Sequence, residues 1–177
     1  MIHFKGTGPL ALRSESLPVR ARVGLMLVGA QLALNQLRLS KNLPIAQAAF
    51  ALARRWHDGE RFDPRLIEDA LAHEYNKGVL DCEIEAKSAI EKSAWFILED
   101  ALLYTAFHAT RELGTTPSSV ICEVDENLFD QFEDHLRALL PTAVDVLFRA
   151  ADLLSRRPDT SFAQFKSAIS PPDHAAQ

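Results

Sequence analysis

Leu80 to Leu113 reads LDCEIEAKSAIEKSAWFILEDALLYTAFHATREL, with no proline or glycine until Gly114 closes it. Ala, Leu, Glu and Lys dominate it, and these residues lose least on entering a helix. Trp95, Leu98, Leu102, Thr105 and Ala109 recur at steps of three and four and share one face. Ile90, Ala94, Ile97, Ala101, Tyr104 and His108 form a second face. Two apolar faces require packing on two sides, which predicts a central helix over 80–113 in an all-α bundle. Gly114 suits a left-handed C-terminal stop. Asp81, Glu83 and Glu85 fall in the first turns, where negative charge opposes the helix dipole.

The flanking sequence predicts five or six more helices. Leu17-Pro18 opens one that carries Val23, Met26, Leu27, Ala30, Leu34 and Leu37 to about Leu39. Asn42, with Pro44 just inside, starts another, with Ala46, Ala49, Phe50, Ala53 and Trp56 inward and an end at Asp58-Gly59. Asp63-Pro64 starts a third, through Ile67, Ala70 and Leu71 to about Asn76. Beyond the central helix, Thr115 to Ser119 is a loop, and Val120-Ile121-Cys122 is a short extended piece or a buried connector. Asp125 is placed to cap a helix over Leu128, Phe129, Phe132, Leu136 and Leu139. Pro141 breaks that helix or begins the next, which runs from Val144 to Arg156, and a short last helix spans Phe162 to Ile169. No period-two alternation is sustained, so no sheet is expected. The expected organisation is an extended arm over 1–17, one helical domain over 18–170 and a polar tail over 171–177.

Charge is unevenly distributed. The net charge is −5, with +6 in residues 1–58, −11 in residues 59–140 and zero thereafter. An acidic middle argues against nucleic acid as its partner and bears on which proteins associate with it, and how fast. The apolar run from Val23 is too short to span a membrane. Glu15, Pro9 and Pro18 precede it, unlike a signal peptide, so the expected compartment is the cytoplasm. Cys82 and Cys122 belong to no metal or disulfide motif.

The search for chemistry gives little. No Glu-x-x-His pair supports a two-metal bundle site, since Arg54, Ala70, Thr105 and Phe132 stand three residues before His57, His73, His108 and His135. Neither a nucleophile elbow nor a phosphate loop is present. Asp100, Tyr104 and His108 can share a helix face. They fit a hydrogen-bonded network beside the core better than a ligand-binding or metal site, which stays as the alternative. A homodimeric regulator, with Val23–Leu37 as its dimer face, is a third reading. No cofactor or metal is expected, and the chain is not expected to be an enzyme. The remaining signal is two acidic runs: Asp81, Glu83 and Glu85, then Glu123, Asp125, Glu126, Asp130, Glu133 and Asp134. Each starts a helix, and the second helix runs back toward Leu80, so its later acids can approach the first run.

Ala94-Trp95, Glu99-Asp100-Ala101 and Tyr104-Thr105-Ala106 together resemble a family of bacterial immunity proteins, immunity family six. Pro117, Val124 to Leu128 leading to Phe132, and upstream Ala51 to Trp56 and Leu66 to Leu80 continue the pattern, which covers roughly residues 45–140. The resemblance implies a small protein encoded beside a polymorphic toxin, an effector of interbacterial competition, which it neutralises by binding. On that footing the two acidic runs are the expected toxin-binding residues, and a nuclease-type toxin with a basic cleft is the expected partner. Membrane and nucleic acid are not expected partners, and a homodimer stays open.

Overall fold

The computed structural model describes residues 8–73, 75–122, 124 and 127–169. Among them are nine helices and no strand. They are α1 (Pro9–Ser14), α2 (Val19–Gln36), α3 (Leu43–His57), α4 (Arg65–Leu71), α5 (Val79–Ile84), α6 (Ala89–Leu113), α7 (Leu128–Leu139), α8 (Ala143–Arg156) and α9 (Phe162–Ile169). The all-α expectation holds, with α6 as its long central helix.

The helix expected over 80–113 is two helices. Ser88 sits in extended conformation (φ −130°, ψ 156°), and its hydroxyl accepts from the Glu91 backbone N–H at 3.1 Å. The Glu91 carboxylate in turn accepts from the Lys87 N–H at 3.1 Å. This reciprocal capping starts α6 afresh and outweighs the helix propensity of Ala86 and Lys87. Ile90 then falls in the first turn of α6 and is exposed, unlike the other apolar residues assigned to its face. Gly114 ends α6 in the left-handed conformation, φ 66°, as expected.

α2 lies against α6 and also meets α3, α7 and α8. Sequence periodicity gives it one apolar face. In the fold Val23, Leu25, Met26, Leu27, Ala30 and Ala33 are all fully buried, so every side is covered. The apolar surface of Val23–Leu37 is therefore spent inside the molecule and offers no dimer face. Each such aliphatic side chain contributes about 1.5–3 kcal/mol on full burial. Gly29 lets α7 come close: a Cβ there would stand 2.4 Å from Phe132 Cζ. Arg20 pins three helices. Its guanidinium donates to the Trp56 carbonyl at 2.6 Å, lies 4.5 Å from the Trp56 ring, and takes both Glu112 oxygens at 2.9 Å.

Residues 9–14, expected within an extended arm, are helical. Pro9 sits at the helix start, where its missing N–H costs nothing, and Leu10 and Ala11 are fully buried. α4 stops at Leu71, not near Asn76, because Ala72 turns extended (φ −147°, ψ 122°). Gly78 then packs on that turn, where a Cβ would stand 2.3 Å from the Leu71 carbonyl oxygen. Ile121 is fully buried in a turn, so Val120-Ile121-Cys122 is a connector. Asp125 lies outside the described residues. Pro141 breaks the helix: Leu140 before it has left the helical conformation (φ −143°, ψ 84°), and α8 starts at Ala143.

A candidate toxin-binding face

The first acidic run sits on α5, separate from the central helix. Asp81 Oδ2 accepts from the Gly78 N–H at 2.9 Å and caps its own helix. Glu83 pairs with Lys92 at 3.1 Å. Glu85 takes a close ion pair from Lys77, a hydrogen bond from the Asn42 side chain at 3.4 Å and an ion pair from Lys41 at 3.3 Å. These partners, Lys77 foremost, hold its carboxyl down at about 2. Asn42, the expected cap of α3, gives its side chain to this cluster and none to the helix N-terminus.

The second run divides. Glu133 is 2% exposed. Its Oε2 accepts from the Leu10 N–H at 3.0 Å, and its Oε1 from Arg137 Nε at 3.1 Å. Asp130 Oδ1 accepts from the Gly8 N–H at 3.4 Å. Glu133 therefore anchors α1 from within, and only Asp134 of these three is exposed. Glu123, Asp125 and Glu126 lie outside the described residues.

Charge blocks along the sequence are not charge blocks on the surface. Lys41 and Arg20 from the basic first part pair with Glu85 and Glu112 of the acidic middle, and Arg55 pairs with Glu60. A hollow of about 350 Å³ between the α2–α3 turn and the α5–α6 break shows this matching, since Lys41, Lys87, Glu85 and Glu91 all line it. Leu39 is fully exposed at its edge.

A cleft between α6 and α7 differs. It encloses about 280 Å³ and is lined by Glu99, Asp100 and Leu103 of α6, by Val120 and Val124 of the connecting loop, and by Asn127, Leu128 and Gln131. Among the described residues no lysine or arginine lines it. Asp100 is almost wholly buried and accepts from His135 Nδ1 at 2.7 Å. Burial pushes the Asp100 carboxyl up while His135 holds it back, and the same bond raises His135. The His135 ring stacks on Phe96, with centroids 4.9 Å apart and planes 13° apart. Glu99 is half-buried, and its carboxyl is pushed up to about 7, first by burial, then by Asp100 and Glu83. Glu83 thus comes close enough to act on Glu99, and Asp134 on His135. Glu99, which neither run contained, thus feels Glu83 of the first run, and Asp100 bonds His135, the chain neighbour of Asp134.

Asp100, Tyr104 and His108 do not converge. Asp100 turns to His135, while His108 packs edge-on against Tyr104 and Phe107, with centroids 4.4 and 5.1 Å away. Burial pushes His108 down to about 4, so it is neutral at pH 7. Among the described residues no group of three His, Cys, Asp or Glu side chains is placed to hold a metal ion, and both cysteines are free thiols. No described helix is long and apolar enough to cross a membrane.

The Glu99–Asp100 pair was visible in the sequence only as part of the family resemblance. Its partner His135 lies 35 positions away, and only the antiparallel return of α7 along α6 brings them together.

Comparison with known proteins finds no match among curated proteins or solved structures. The family described as Immunity protein Imm6 matches residues 21–139, more than half of the chain. The match contains the motif residues of α3 to α7 and extends the resemblance upstream into α2. The chain belongs to the Imm6 family of immunity proteins, whose partner is a cognate toxin.

Proposed function

We propose that this immunity protein acts in the cytoplasm, without catalysis of its own, by covering the basic cleft of a nuclease-type toxin with an acidic surface. The observation that carries the reading is the α6–α7 cleft, where Glu99 and Asp100 meet no lysine or arginine among the described residues of the walls. The other acids in this reading are exposed Asp81 and Asp134, half-buried Asp130, and Glu83 and Glu85 in ion pairs with lysines. Glu133 is buried and holds α1, so it is not part of the exposed surface. The acids Glu123, Asp125 and Glu126 complete the expected set.

An immunity protein must capture its toxin before damage accrues, and complementary charge speeds capture and fixes orientation more than it adds affinity. A nuclease presents cationic side chains to phosphate, and an acidic face competes for those side chains. The experiment is co-expression with the toxin domain encoded beside the gene. Nucleic-acid degradation that this chain suppresses, with a stable complex recovered, supports the reading. A toxin that acts on membranes or cell wall would refute the nuclease assignment.

A further inference from the structure

We propose that the α6–α7 cleft seats a single arginine or lysine side chain of the toxin, with Glu99 as its counter-charge. The inference rests on this face meeting the toxin, and it names the chemistry of the contact. Four aliphatic side chains, Leu103, Val120, Val124 and Leu128, line the cleft and match the methylene stem of a long cation. Glu99 supplies the charged end. Other inward-leaning acids of the chain have partners: Glu83 has Lys92, Glu133 has Arg137 and the Leu10 N–H, and Asp100 has His135. Among the described residues Glu99 has neither a hydrogen bond nor an ion pair.

The charged groups facing Glu99 decide the sign. Glu83 of α5 and Asp100 of α6 repel its charge, and His135 of α7 attracts it from behind Asp100. An apolar guest would bury the carboxylate further without pairing it, and an anionic guest would add repulsion. A cation pairs it and reverses the burial penalty. A charge-assisted contact at the end of an apolar slot has the form of an interface anchor, for which arginine is favoured over lysine because its planar fork can hold both carboxylate oxygens.

Nα-acetyl-arginine methylamide serves as the probe, with the citrulline analogue as its neutral isostere, in methyl NMR of the full chain at pH 8. The expected result is a saturable shift of the Leu103, Val120, Val124 and Leu128 methyls with arginine and none with citrulline. Glu99→Gln should abolish it, while Asp159→Asn, at an exposed turn after α8, leaves it intact. Saturating arginine should also lower the midpoint of the Glu99 titration. Equal shifts with both probes, shifts that survive in Glu99→Gln, or shifts confined to α5 would overturn the proposal. No response of the cleft, beside toxin association that still slows with salt, would remove this seat and leave the electrostatic reading standing. A normal cleft response beside salt-indifferent association would do the reverse.

Discussion

Replacing Glu99 with glutamine should stabilise the free protein, and by an amount that grows with pH. The carboxyl is raised from 4.5 to about 7 in the folded chain. Between these values the native state holds a proton that the unfolded state has released. Stability from this group is therefore full below pH 4.5 and is lost as pH rises through 7. At about 1.4 kcal/mol per tenfold change in proton affinity, the whole effect is at most about 3.5 kcal/mol, and the partial exposure of the side chain brings it to about 1–3 kcal/mol. His108 works in the opposite sense. Its folded value of about 4 gives stability that is full above 6.5 and lost on acidification. The wild-type profile alone thus mixes opposing trends between pH 4.5 and 6.5. The difference between variant and wild type cancels His108. Urea unfolding at pH 5, 6, 7 and 8 should show Glu99→Gln within about 1 kcal/mol of wild type at pH 5 and more stable by about 1–3 kcal/mol at pH 8. A constant difference across the range, or a loss at pH 8, would mean that Glu99 is solvated or already paired, and the reasoning for the cleft would fall with it.

Gly29→Ala should destabilise by about 1–3 kcal/mol in urea unfolding, because its Cβ would meet the Phe132 ring. Ser88→Ala should cost about 1 kcal/mol and let the start of α6 fray, seen as faster amide exchange over residues 89–92. Glu133→Ala leaves the Leu10 N–H without its acceptor and should cost about 1–3 kcal/mol, with exchange in α1 rising before the rest of the chain. Asp81→Lys and Asp134→Lys test the two sides of the acidic face. Both should slow toxin association; Asp134→Lys should be near-neutral in stability, Asp81→Lys should cost about 1 kcal/mol by removing the cap on the Gly78 N–H, and Glu85→Lys should loosen the Lys41–Lys77 cluster and lower the unfolding midpoint.

Local chemistry made much of this fold legible. Asn42-Pro44, Asp63-Pro64, Gly114 and Pro141 each mark a boundary by backbone restriction or capping, and the structure puts boundaries there within a few residues. What the sequence hid is decided by competition or by distance. The Ser88 cap and the Glu91–Lys87 bond lay within a run of strong helix formers, so propensity masked the break between α5 and α6. α1 is too short to announce itself by period and is held by Glu133, more than a hundred positions away. The acids of 81–85 looked uncompensated because Lys41 and Lys77 reach them only in the folded chain. The cleft needed the α6–α7 pairing before Glu99 could be distinguished from an ordinary surface glutamate.

The central claim is that acidic charge on the α5–α6–α7 face guides this immunity protein onto a basic toxin surface. Its most direct measure is the stopped-flow association rate with the toxin domain across ionic strengths from about 0.02 to 0.5 M, over which the Debye length shrinks from roughly 20 Å to about 4 Å. The expected result is a fall of about tenfold or more, with a shallower slope for Asp134→Lys and for Glu99→Gln. A rate unchanged by salt, in wild type and variants alike, would contradict it.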